Sequence, residues 1–317
     1  MKNFLFKVFL PIVIVCGILF WTGELYLRSL PNDFKYKREY IDKNANRVKI
    51  ITLGASTPAM DIMPRFFDLQ PSFCCAYATQ SPNYDYWILS KYIDQMDSLK
   101  YIIYTWAPQM LYRSIKPDGV APTYVKKYAI YYDCPYYKGF ENQFEISANI
   151  TDIFSKIKGD NHKLAFTTTD FDGYQSGYYD DIPYEEEMWN GYIDSKIKEY
   201  NALLEVEGVE EQKKENLDYM YKIFDLCKTH NVTVLMVRFP IDSRLSEGID
   251  KAAQEEVDYH LSQFLQKYDN IKLLDYRDCN LFSYDEMYNA NHLNPRGAEK
   301  FTRILNDSIM RWEEEKK

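Results

Sequence analysis

The stretch Val48-Lys49-Ile50-Ile51-Thr52-Leu53 is mostly apolar and β-branched, and it stops at Gly54. A strand of this kind has to be covered on both faces, as at the centre of a parallel sheet flanked by helices. The chain repeats the pattern. Ser72–Ala78 is a second apolar run, helical spacing extends over Asn83–Met96, and Tyr101–Trp106 reads as a third strand. Further on, Glu211–His230 reads as an amphipathic helix, Val232–Val237 as a strand and Ile249–Tyr268 as a helix. Ile271–Leu274 is a fifth strand, and Pro295–Trp312 closes the chain as a helix with Asn294 as its cap and proline in its first turn. Strands alternating with helices specify an α/β fold with a central parallel sheet.

Residues 107–190 interrupt this alternation with a segment rich in Tyr, Asp, Gly and Pro. A loop that long without structure is unusual, so it is expected to carry short helices and to form a cap or side wall. Residues 47–317 then make one domain with an insertion. Residues 1–24 stand apart: Lys2 and Lys7 precede an apolar run from Val8 to Trp21, and Glu24 ends it. Counted from Phe4, with Lys7 reaching the headgroups, the run is long enough to span a bilayer. No small-residue cleavage site follows, so an uncleaved signal anchor is expected. The lysines favour a cytoplasmic N-terminus with the domain outside. Residues 25–46, with the turn signal Pro31-Asn32-Asp33, form a charged spacer.

A net charge of −9 argues against nucleic acid as a partner, because phosphate binding needs concentrated Lys and Arg. The 29 tyrosines suit a surface that meets carbohydrate or protein, or reflect a compositional habit. The six cysteines and four histidines show no metal-ligand spacing, so neither a metal nor another cofactor is expected. Cys74 and Cys75 read as buried thiols. Asp170-Phe171-Asp172-Gly173 and Asp180-Asp181 lack the spacing of a calcium loop and read as a solvated acidic face.

Chemistry concentrates at the two ends of the domain. Gly54-Ala55-Ser56 places a hydroxyl directly after a strand, where it projects into the crevice at the carboxyl edge of the sheet. Backbone N–H groups of the following turn can face a developing oxyanion there. The plainer reading is a turn in which Ser56 or Thr57 caps a helix. His292 lies in a short loop before the last helix, and a structural role is the default for one such histidine. Arg238, after the fourth strand, either borders the crevice and meets an anion or is a surface charge.

The two blocks together resemble the SGNH (GDSL-like) hydrolase superfamily, and more closely its membrane-anchored members from bacterial envelope and polysaccharide loci. The resemblance rests on Pro31-Asn32-Asp33-Phe34-Lys35-Tyr36-Lys37, on Leu53-Gly54-x-Ser56, and on Ala78-x-Gln80-Ser81-x-x-Tyr84-Asp85-Tyr86. Its most specific part is His292-Leu293-Asn294-x-x-Gly297-Ala298-x-Lys300-Phe301. It implies a flavodoxin-like three-layer α/β/α fold, with Ser56 as nucleophile and His292 as general base. Asn289 falls where that family has the aspartate that orients the histidine. Ala55 stands in place of the motif aspartate, and Thr57 where the closer relatives often have histidine. Gln80 and Ser81 are expected beside the oxyanion, with Gln109 as a donor from the third block.

An amide at the triad-acid position lowers turnover about 10⁴-fold in a serine protease. That leaves two expectations. One is a Ser56–His292 dyad that removes or transfers an acyl group, most plausibly acetyl, on an envelope polysaccharide, working beside an integral membrane acyltransferase. The other is an inactive module that binds a glycan or a partner membrane protein. Either is expected at the bacterial inner membrane, as a single-pass protein facing the periplasm or cell exterior.

Overall fold

The computed structural model describes residues 5–119, 121–137, 139–148, 169–176, 185–277 and 280–316. Asp180, Asp181 and Cys279 therefore lie outside the described residues. Five parallel strands form the main sheet: β1 (Ile50–Leu53), β2 (Ser72–Cys74), β3 (Tyr101–Thr105), β4 (Thr233–Arg238) and β5 (Ile271–Asp275). Their order is β2-β1-β3-β4-β5. The register pairs Ile51 with Phe73 and Ile102, and Val234 with Ile102 and Ile271. β1 and β3 are buried along their whole length, as their apolar sequences require.

Successive side chains of β3 face opposite layers. Tyr101 and Ile103 join the core built on the last helix, Pro295–Glu315, which contributes Ala298, Phe301, Leu305 and Ile309 at helical spacing. Tyr104 points the other way and meets the Phe224 ring edge-on, at 6.1 Å between centroids, on helix Val209–Thr229. Each fully buried Leu, Ile or Phe contributes roughly 1.5–3 kcal/mol through removal from water. The expected α/β class with a central parallel sheet is the observed one. The expected second strand is shorter than its apolar run: it ends at Cys74, although the Cys75 and Tyr77 N–H groups still donate to the Thr52 and Gly54 carbonyls.

The chain divides into two units. Of the described residues, 39–115 and 169–316 form the sheet unit, and 5–38 with 116–148 form the other. In the second unit a π-helical turn (Leu5–Phe9) leads into α1 (Leu10–Ser29). Phe6–Ser29 is 24 residues long and contains an 18-residue stretch with a mean hydropathy of 2.1, long and apolar enough to cross a membrane. The expected turn-like spacer is largely helical: α2 spans Asp33–Asn44, and the Asn32 side chain accepts from the Lys35 N–H at 2.9 Å. Residues 116–148 carry the short helices expected of the insertion, Pro122–Tyr132 and Glu145–Ala148. They pack with α1 and the start of α2: the Phe34 ring sits edge-on to Tyr124 and Tyr128, both at 5.0 Å.

Candidate active site

In the order β2-β1-β3, the chain crosses from one side of β1 to the other, and the carboxyl ends of β1 and β3 flank the crevice so formed. Gly54 makes the turn out of β1 with φ +112°, and a Cβ there would stand 2.7 Å from Thr105 Cγ2 and 3.2 Å from Pro58 Cγ. Only glycine satisfies both the conformation and the space. Ala55 is then the cap of a short helix, α3 (Ser56–Asp61), without a side-chain bond. Ser56 is therefore the first helical residue, and neither hydroxyl plays the capping role. Thr57 Oγ1 pairs with Thr105 Oγ1 at 3.3 Å. The Ser56 hydroxyl has no hydrogen-bond partner among the described residues.

His292 begins β7 (His292–Leu293), which pairs antiparallel with β6 (Met287–Asn289). The histidine is 8% exposed, and its Nδ1 faces Asp61 Oδ1 at 3.5 Å. Asp61 is the last residue of α3, so the helix that opens with Ser56 closes with the carboxylate beside His292. The same oxygen accepts from the Leu293 N–H at 3.1 Å, which ties the hairpin to the helix. Asp61 is fully buried, and burial pushes its carboxyl up to about 6 from 3.8, against the opposing pull of His292. No hydrogen bond joins Ser56 to His292.

Asn289 does not face the imidazole through its side-chain oxygen. That oxygen accepts from the Asn291 N–H at 3.1 Å and shapes the hairpin turn. Asn291 is in turn held by Tyr192, whose hydroxyl donates to its Oδ1 at 2.6 Å. Asp285 is an exposed partner of Arg296. The carboxylate at the histidine thus comes from the first block of the sequence and not from the last. One signal for it exists: Asp61 is the single charged residue in Pro58-Ala59-Met60-Asp61-Ile62-Met63, a stretch too apolar to carry an idle carboxylate.

Gln80 and Ser81 are buried but already engaged. Gln80 Nε2 donates to Asp85, and Asp85 Oδ1 accepts from the Gly54 N–H at 2.8 Å. Burial holds the Asp85 carboxyl at about 7. This pair braces the Gly54 turn from below. Ser81 Oγ donates to Asn83 Oδ1 at 2.7 Å and accepts from the Ile115 N–H at 3.3 Å. The expected placing of both residues beside an oxyanion therefore has to be set against these bonds.

Gln109 and Arg238 line a pocket of about 50 Å³ with Thr57, Trp106, Phe239 and Asn291, at the edge of the same crevice. Gln109 Oε1 is buried without a partner. Arg238 is 6% exposed and is no surface charge: Asp258 and Asp275, the latter at 3.1 Å, neutralise it. The expected acidic face at Asp170 and Asp172 is likewise an ion-pair cluster, closed on Arg65 with Asp172 Oδ2 at 2.9 Å from Nε.

The sequence matches no protein-family model and no curated protein. The chain aligns with solved structures at low identity and low TM-score. One is a "putative acylhydrolase" of Bacteroides fragilis, 10% identical, with a TM-score of 0.37, covering 91% of this chain and 94% of that one. Another is a GDSL-like lipase of Bacteroides thetaiotaomicron, 9% identical, with a TM-score of 0.38, covering 88% of this chain and 99% of that one.

Proposed function

We propose that this chain is a membrane-anchored serine esterase or O-acyltransferase of SGNH type. Its substrate is an acetylated envelope polysaccharide. The observation that carries the reading is the buried Asp61 carboxylate 3.5 Å from His292 Nδ1, on the helix that starts at Ser56. A carboxylate at Nδ1 fixes the tautomer that leaves the other ring nitrogen, Nε2, as a base.

In this chemistry Ser56 Oγ attacks the acyl carbonyl and its proton passes to His292 Nε2. The oxyanion of the tetrahedral intermediate is met by the unpaired N–H groups at the start of α3. Collapse breaks the acyl–oxygen bond, and the departing sugar hydroxyl takes the proton from His292. Water or an acceptor hydroxyl then attacks the acyl-serine by the same route in reverse. Phe6–Ser29 anchors the chain in the bacterial inner membrane, with the catalytic unit in the periplasm or outside the cell.

The missing Ser56–His292 hydrogen bond favours a second reading, in which the crevice holds a glycan or a partner membrane protein without turnover. Such bonds are often long before substrate arrives. A fluorophosphonate probe separates the two. Labelling of the full-length protein that disappears in Ser56→Ala and drops sharply in His292→Ala supports the enzyme. No labelling, with equal ester hydrolysis by wild type and Ser56→Ala, leaves only the binding module.

A further inference from the structure

We propose that residues 139–148 form a membrane-facing collar that lies in the headgroup layer beside the C-terminal turns of α1, with Phe140 as its lipid-contacting side chain. This rests on the reading of α1 as a bilayer anchor. At 1.5 Å per residue, the 24 residues of Phe6–Ser29 extend about 36 Å, slightly more than a hydrocarbon core. In sequence, Glu24 ends the apolar run. In the structure it does not face outward: it is 1% exposed, while Leu25 and Tyr26 beyond it are 65% and 57% exposed. The lipid-compatible surface of α1 therefore continues past the carboxylate.

The collar is what hides it. The two Glu24 oxygens accept from the backbone N–H groups of Glu145 and Ile146, each at 3.0 Å, and Arg28 Nε closes the pair at 2.6 Å. Arg28 also donates to the Gln143 carbonyl at 2.7 Å. Ile146 lies against Gly23. The Glu24 charge and the backbone N–H groups it meets are thus satisfied between the collar and α1, and the Glu145 carboxylate is neutralised by Lys127 at 2.6 Å, as a lipid-adjacent segment requires.

The outer surface of the assembly is aromatic. Phe144 packs between Phe20 at 5.2 Å, Trp21 at 6.2 Å and Phe140 at 4.8 Å. Phe140 itself is 76% exposed, and Trp21 beside it 57%. Trp21 and Tyr26, both exposed at this end of the apolar helix, are the ring types enriched where a bilayer meets water. The exposed Glu141 keeps the turn in the headgroup layer rather than deeper. A protein partner has no such support; continuity with α1 selects the lipid surface.

The test uses the full-length chain carrying Phe140→Cys in a Cys16→Ser, Cys279→Ser background, labelled with a polarity-sensitive fluorophore. Vesicles of phosphatidylcholine and phosphatidylglycerol receive the protein, and Tyr259→Cys serves as the exposed control site. The expected result is blue-shifted emission at 140, quenching by headgroup nitroxide lipids and loss of iodide quenching, with the reverse at 259. Phe140→Trp with brominated lipid gives a label-free second readout. Equal iodide quenching at 140 and 259 in protein that floats with the vesicles overturns the collar and leaves the anchor standing. Protein that fails to float with the vesicles overturns both.

Discussion

Asp61→Asn removes one charge from the buried interior while keeping an oxygen for the Leu293 N–H. Burial holds the wild-type carboxyl at about 6, against 3.8 for an exposed aspartate. The gap, 6 − 3.8 = 2.2, corresponds to about 3 kcal/mol at about 1.36 kcal/mol for each pH unit. The folded state holds this proton more tightly than the unfolded chain does. Its stabilisation is complete below pH 3.8, where both states are protonated, and is lost as pH rises through 6. The amide has no such dependence, so its stability relative to wild type should climb by about 3 kcal/mol between pH 3.5 and pH 8. Asp85, held at about 7, adds the same slope to both proteins and cancels in the difference. Turnover should move the opposite way, falling by up to about 10⁴-fold, because an amide beside Nδ1 selects the wrong tautomer. Denaturant unfolding of both proteins at the two pH values measures the first effect, and p-nitrophenyl acetate hydrolysis the second. A stability difference that is the same at both pH values, with unchanged turnover, would refute the placing of an ionisable carboxylate against His292.

Asn289→Asp tests the same assignment from the other side. With Asp61 already at Nδ1 and Asn289 bonded to the Asn291 N–H, esterase activity should not rise; a gain of tenfold or more, roughly 1.4 kcal/mol of barrier, would move the acid to 289. Gly54→Ala puts a Cβ 2.7 Å from Thr105 Cγ2 at a φ of +112°. It should cost at least about 1–3 kcal/mol of stability and lower probe labelling of Ser56 as the turn shifts; denaturation and labelling at wild-type levels would sink the argument for that turn.

The sheet was legible because its evidence is local. β1 and β3 are short, apolar and β-branched, and helix Pro295–Glu315 carries both its cap and its periodic core face in its own sequence. Ser56 and His292 were legible for the same reason, each at the end of a recognisable element. Asp61 was not, because its meaning depends on a partner at the far end of the chain, brought alongside only when β7 packs on α3. Gln80 shows the same limit. Its place in the block suggested a crevice, yet the nearby Asp85 claims its amide, a pairing that only the buried turn at Gly54 explains. Within the insertion, residues 116–148 pack with α1 and the start of α2, through contacts such as Asn32 to Tyr131 at 2.9 Å, a pairing 99 positions apart that no local pattern announces.

The six residues of α3 hold Ser56 at one end and Asp61 at the other, while His292 arrives on a separate hairpin tied to that helix through the Leu293 N–H. The three candidate residues are thus divided between two elements rather than three. On the proposed roles, a loosening of the hairpin takes His292 away from Ser56 and Asp61 in one movement, so fluorophosphonate labelling should be lost on mild heating in a single step.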